Sequence, residues 1–390
     1  MRLIILFTIF WVSLSGVVHA QDRGQFQKQA TQAQKQIRES RGTQERTNRQ
    51  AQAQEEIGNE AKKRFAKVQK QMRSGKIKFI GDKPTFRIKL NPALNHSMKQ
   101  LTGEKGVEKA VDKYNRISPK ILELEKSIVD RELGAGIELK LPSCSSRSSG
   151  FDWRAFGKVT PVKNQSPCGS CPFFSTVASW EGSHAIRNGT LVDASEQRLL
   201  SCTSGTCSGS NATVAANEML ANGTATEVAY PYVASNTACN ASVSTPYDAI
   251  NSARVNGWSP SVDEIQQAIC DHGPVSASMW STGTFQAYDS GIFNESVSPV
   301  IASGTNAGQA RTNHSMAIVG WSDSQGGYWI VKNSWGTGWG ESGYARIAYT
   351  SNNIGTRARW MDAPYLRIMS AKKWREAFRL EIPGYPFGGD

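Results

Sequence analysis

At 390 residues the chain is long enough for more than one structural unit and at least one sizeable core. Its 39% hydrophobic and 20% charged residues are the proportions of a globular protein and exclude a wholly disordered one. The net charge of +12 suggests a nucleic-acid partner, but no zinc-finger, RNA-binding or basic–aromatic pattern accompanies it, so none is expected.

Read in chain order, residues 1–20 have the plan of a secretory signal. Arg2 supplies the charged start, Leu3 to Val12 the apolar run, and Val18-His19-Ala20 the small-residue cleavage site. That run is too short to span a bilayer, so no membrane span is expected after its removal. The mature protein is expected to be secreted, or periplasmic in a bacterium. Residues 21–75 are polar and basic. Phe26, Ala30, Ala33 and Ile37, and then Ile57, Ala61, Phe65, Val68 and Met72, recur at helical spacing. Two helices broken near Gly42 are predicted, with stripes too narrow to stay folded without a partner surface. Phe79, Phe86, Ile88 and Leu90 predict a short extended piece with a turn at Gly81-Asp82. A further helix is predicted over 119–133, with Pro119 in its first turn.

The composition changes near Leu141, where Ser, Cys, Gly and aromatic residues replace the charged helical pattern. The basic excess belongs to the first part: residues 21–140 hold 27 Lys/Arg against 15 Asp/Glu, whereas 141–355 hold 10 against 14. A basic segment beside an acidic domain predicts docking of one on the other. After 141 a helix is expected from Cys171, through Phe174, Val177 and Trp180. Strands are expected at Val275–Met279, His314–Trp321, Tyr328–Lys332 and Tyr344–Ala348. Helices early and antiparallel strands late make this an α+β domain with two packed halves. The seven cysteines lie between Cys144 and Cys270, and in an exported protein an odd count leaves one thiol free or bonded to another chain. Cys168-Gly-Ser-Cys171 has no second ligand pair at suitable spacing, so no metal and no other cofactor are expected.

Three segments occur in one order: Val159-Thr-Pro-Val-Lys-Asn-Gln-Ser-Pro-Cys-Gly-Ser-Cys-Pro-Phe-Phe, Asn313-His-Ser-Met-Ala-Ile-Val-Gly-Trp, and Tyr328-Trp-Ile-Val-Lys-Asn-Ser-Trp-Gly-Thr-Gly-Trp-Gly. Together they resemble the papain-like cysteine protease family over residues 141–355. The resemblance implies a two-lobed fold, with a helical left lobe and an antiparallel barrel-like right lobe. It implies Cys171 as nucleophile, His314 as base and later proton donor, and Asn333 as the acceptor that orients the imidazole. Trp335 is then the ring covering that bond, and Gln165 an oxyanion donor beside the Cys171 amide. The residue types suit the chemistry, because a helix N-terminus and a neighbouring imidazolium both favour thiolate over thiol. Pro172 stands where the family carries Trp or Tyr, at a helix start where proline is tolerated. Ser208-Gly209-Ser210 stands where it carries a Gly-Gly strip.

The resemblance also implies bridges Cys168–Cys207 and Cys202–Cys239. Cys144 and Cys270 are then expected to pair, leaving Cys171 free. Residues 21–140 become an inhibitory prosegment lying on the catalytic domain, and 356–390 a C-terminal extension. Acid pH is an expected trigger of release, because protonating acidic partners weakens such docking. The reaction implied is hydrolysis of peptide or protein substrates through an acyl-thioester, by an endopeptidase made as a zymogen. The rival readings are a catalytically impaired binding protein on the same scaffold, and a thiol acyltransferase or peptide ligase.

Overall fold

The computed structural model describes residues 57–105, 111–133, 144–303, 307–366 and 368–383, all within the unit spanning Gln50–Asp390. The expected signal and the first predicted helix of the 21–75 stretch lie outside these residues. Helix α1 (Asn59–Arg73) turns Ala61 and Val68 inward onto Leu94 and Ala287, which supplies the partner surface its narrow stripe requires. A strand, β1 (Phe86–Ile88), and a single helical turn at Met98–Leu101 lead to helix α2 (Val111–Leu133). Pro119 is inside α2 rather than in its first turn. Proline removes one i→i−4 hydrogen bond there, while Ile121 and Ile128 remain buried and offset that loss.

After 144 the two halves separate by element type. The helical half is built on α3 (Cys171–Asn188), α4 (Glu196–Ser201) and α5 (Ala212–Ala221). Its core joins Phe173, Val177 and Trp180 to Leu199, Ala216 and Met219. Helix α3 is buried along nearly its whole length, as expected of a helix wedged between lobes rather than lying on a surface. The other half is a nine-stranded sheet. Its further strands are β2 (Gly150–Asp152), β3 (Asn251–Arg254), β4 (Val275–Met279), β5 (Tyr288–Phe293), β6 (His314–Ser322), β7 (Tyr328–Lys332), β8 (Tyr344–Ala348) and β9 (Thr356–Asp362). The order is β1-β5-β8-β7-β6-β4-β9-β3, with β2 against β6. Helix α6 (Val262–His272), between β3 and β4, buries Ile265 and Ile269 in the sheet's core. The α+β two-lobed architecture expected from the sequence is thus observed.

Two features depart from the expected boundaries. Strand β9 sits inside the sheet between β4 and β3, pairing Ser252 with Met361 and Ser276 with Arg359. A C-terminal extension starting at 356 would cut through this strand; helix α7 (Ala371–Glu381) comes after it. At the other edge, β1 of the N-terminal segment pairs antiparallel with β5, through Phe86 opposite Gly291. The segment before 141 therefore completes an edge of the sheet that would otherwise present unpaired backbone.

Candidate active site

Cys171 opens α3, after Ser170 at the cap, and Pro172 occupies the first turn, where its missing N–H has no helical partner. The two bridges Cys168–Cys207 and Cys202–Cys239 brace the loops of the helical half around it, and Cys144–Cys270 ties the loop before β2 to α6. Cys171 is the free cysteine, fully buried. His314 opens β6 on the opposite lobe and is likewise buried. Backbone amides of Ser315, the residue after His314, and of Gly103 and Glu104 face the Cys171 sulfur. Both lobes and the N-terminal segment thus converge on one atom.

The imidazole of His314 has its Nε2 2.9 Å from Asn333 Oδ1, and its ring stacks on Trp335 with centroids 4.7 Å apart. Its Nδ1 makes no hydrogen bond among the described residues. Gln165 is buried between two anchors: Ser334 Oγ donates to its Oε1 (2.6 Å), and its Nε2 donates to the carbonyls of Cys168 (2.7 Å) and Leu101 (3.1 Å). Trp335 Nε1 also donates to the Leu101 carbonyl, at 3.3 Å. The sequence-derived residues Cys171, His314, Asn333, Trp335 and Gln165 are therefore neighbours around one cleft.

The sequence places a prosegment on the catalytic domain but does not single out the residues that fill the cleft. Leu101 ends a helical turn at its mouth, and residues 102–105 pass through it as extended chain. The Gly103 N–H points at Cys171 Sγ (3.3 Å), Glu104 N–H donates to the Asn313 carbonyl (3.0 Å), and Lys105 N–H donates to the Ser210 carbonyl (2.7 Å). Ser210 N–H donates back to the Gly103 carbonyl at 2.8 Å. A Cβ on Gly103 would lie 1.7 Å from the Gly169 carbonyl oxygen, so only glycine fits. Nothing in the pattern around Thr102-Gly103-Glu104 marks it as a cleft-filling strand. The sole signal was its place before the matched segments.

Burial sets the electrostatics of this covered state. It pushes the Cys171 thiol up to about 12, helped by the negative charge of Glu104, and pushes the His314 imidazole down to about 4. With the segment in place, burial disfavours both charged forms and with them the thiolate–imidazolium pair. Among the described residues, the ion pairs between the N-terminal segment and the rest run opposite to the expected polarity. The acids Glu104 and Glu125 come from the basic segment, and their partners Arg357 (2.9 Å) and Arg187 come from the remainder. Net charge by region therefore did not predict the contact, because surface cations dominate the count while the buried pairs involve acids. Behind the cleft, Lys163 is buried among Glu181, Asp193 and Glu196 at 2.8–3.0 Å, and Lys332 donates to Thr160 across the lobes. Among the described residues no group of His, Cys, Asp and Glu has the arrangement of a metal site.

Comparison with known proteins places this cleft in context. The family model described as papain family cysteine protease matches residues 147–363. Zingipain-2 of Zingiber officinale is 40% identical over 208 residues, which cover 52% of this chain and 88% of that protein. Digestive cysteine proteinase 2 of Homarus americanus is 39% identical over 211 residues, and there the match spans 62% of the relative's length. A solved structure of digestive procathepsin L 3 from the larval midgut of Tenebrio molitor superposes with a TM-score of 0.54 at 27% identity, covering 78% of this chain and 90% of that one.

Proposed function

The chain belongs to the papain family of cysteine proteases and is a cysteine peptidase of zymogen type, and we propose that Cys171 is its nucleophile and residues 101–105 its built-in cleft inhibitor. The prosegment lies docked on the catalytic domain, and its removal restores water to the thiol and imidazole and takes the Glu104 charge away. Both changes favour the ion pair. The Cys171 thiolate then adds to the substrate carbonyl carbon. His314, as imidazolium, gives its proton to the departing amine, leaving an acyl-thioester. Water attacks that ester while His314 takes its proton, and the acid leaves with the thiol restored. Asn333 Oδ1 accepts from Nε2 of His314 and leaves Nδ1 for the sulfur. Trp335 keeps water off that bond, and Gln165 Nε2 with the Cys171 amide holds the oxyanion.

One observation carries this reading. In the covered state Gln165 Nε2 already holds a peptide carbonyl, that of Leu101, beside a free cysteine at a helix N-terminus. The prosegment occupies the groove as a substrate would, and its passage as extended chain supports internal cleavage of peptides and proteins rather than end-trimming. The proposed division is 1–20 signal, 21–140 prosegment, then the catalytic domain. Three disulfides fit an oxidising compartment, and with that signal they support export to the extracellular space or a bacterial periplasm. The test is peptidase activity of the trimmed protein beside a Cys171→Ser variant, with iodoacetamide labelling of the thiol. Parallel loss of activity and of one fast-labelling thiol is expected. Peptidase activity retained by Cys171→Ser would overturn the assignment.

A further inference from the structure

Next to the sulfur lies a pocket that the sequence did not announce. Glu104, one residue past the glycine on Cys171, sends its side chain into it and is 2% exposed there. One carboxylate oxygen is 2.9 Å from Arg357 Nη2, and the other accepts from Ser315 Oγ at 2.5 Å. Arg254, Arg357 and Arg359 line the cavity with Asn211, Thr213 and Ser278. Arg357 and Arg359 both come from β9 and both line this cavity. Arg359 is tied to Ser252 Oγ (3.0 Å), and Arg357 donates to Thr312 Oγ1, so the guanidinium groups are held by the catalytic domain itself. Trp258 lies between Arg254 and Arg357, with its ring 5.3 and 5.2 Å from the two guanidinium carbons. Arg357 also holds a left-handed backbone, φ 56°, a conformation uncommon for any residue but glycine.

Of the residues lining this cavity, Glu104 is the one carboxylate, and it departs with the prosegment. The buried Arg357 guanidinium loses the carboxylate that sits 2.9 Å from it, which is costly, and a replacement carboxylate is the group that restores the balance. We infer that the activated enzyme selects acidic peptides, with a Glu or Asp side chain of the substrate entering the pocket that Glu104 occupies. This rests on the reading of Cys171 as the nucleophile. Arg357 is the specificity-determining residue, because it makes the charged contact to the carboxylate, while Ser315 supplies the second donor. A longer glutamate reaches both, as Glu104 does, so Glu is preferred over Asp.

The test starts from the full chain, activated by removal of its prosegment. A peptide mixture varied at each position on either side of the cleaved bond is digested, and products are sequenced by mass spectrometry. At one position within two residues of that bond, Glu is expected to exceed Leu by at least about tenfold in kcat/KM, and Arg357→Leu is expected to reverse that order. Arg357→Glu is expected to favour Lys. Iodoacetamide, too small to need the pocket, reports on each variant whether the site is intact. A labelled thiol with a preference for Leu or Phe at every position overturns the pocket alone. So does an acidic preference untouched in a correctly labelled Arg357→Leu. An activated wild-type protein whose thiol does not label overturns the underlying reading, and the pocket with it.

Discussion

Besides α1 and the β1–β5 pairing, the prosegment is held at two places built from different materials. In the cleft, residues 101–105 rely on backbone hydrogen bonds, one buried carboxylate and a glycine that nothing larger can replace. On the flank, α2 relies mainly on apolar side chains, with one buried ion pair from Glu125 to Arg187: Ile121 and Ile128 meet Ile250, Trp374, Phe378 and Ile382. Three of those partners belong to the region of α7, beyond the residues that match the family model. Each large apolar side chain so buried contributes about 1.5–3 kcal/mol, whereas a backbone bond contributes nearer 1 kcal/mol net. The difference separates two tasks. On the proposed reading the flank supplies affinity and the cleft supplies latency, because among these contacts only those in the cleft touch the sulfur and the Gln165 amide.

The largest effect expected is on the flank. Trp374 is fully buried against α2 and donates to the Tyr365 carbonyl (3.3 Å). Trp374→Ala should cost about 3–5 kcal/mol, read as accelerated hydrogen exchange in α2 and α7, while iodoacetamide labelling of Cys171 in the precursor stays slow. If labelling speeds up as much as exchange does, the two grips are one unit and the comparison fails. Next comes Gln165→Ala in the trimmed enzyme, with kcat expected to fall about 10²–10³-fold. Its labelling rate by iodoacetamide should change little if, as proposed, the amide serves the oxyanion and not the sulfur.

Gly103→Ala attacks the cleft alone. Relieving a 1.7 Å contact with the Gly169 carbonyl requires backbone shifts that cost about 1–3 kcal/mol, or roughly 5- to 150-fold in how often the cleft stands open. The precursor's thiol should label faster by that factor, with exchange in α2 unaltered. An unchanged labelling rate would mean that the strand at 101–105 is not what keeps the thiol silent.

The same contrast explains which features are legible in the sequence. The strands 275–279, 328–332 and 344–348 carry apolar residues that the sheet buries, and their limits are visible in the pattern. So is the helix from Cys171, since Phe174, Val177 and Trp180 recur at helical spacing. The apolar stripe of α1 is visible too, but the pattern starts α2 late, because a proline that reads as a start signal lies in mid-helix. Strand β9 is hidden by its composition. The stretch from Arg357 reads as the start of a docked helix or a loose end, yet Arg357, Arg359 and Asp362 are all buried by pairing across tertiary contacts that no local pattern encodes. Cys171, His314, Asn333 and Gln165 are legible because the family spaces them recognisably. Gly103, Glu104 and Arg357 are not, because they come together only through a chain crossing of more than 250 residues.

The weakest expected effect bears on how release responds to pH, and its sign opposes the simple expectation of acid-driven release. Burial raises the Glu125 carboxyl to about 7, against the pull of Arg187 and with the push of Asp362. Asp362 is also buried, but Arg187 and His272 hold it below the usual carboxylate range, so Arg187 is already engaged before α2 arrives. Undocked, Glu125 would return to the ordinary range near 4.3. Its folded value is the higher one, so docking takes up a proton. The contribution is complete below about pH 4.5 and is lost as pH rises through 7. In a Cys171→Ser precursor, which cannot trim itself, hydrogen exchange in α2 corrected for intrinsic rates should report more frequent opening from pH 5 to pH 8, by at most about tenfold per unit. Glu125→Gln mimics the protonated form and should flatten that slope while keeping α2 docked. Opening that instead grows as pH falls, and still does so in Glu125→Gln, would assign release to acids elsewhere in the interface and leave the flank as a pH-indifferent clamp.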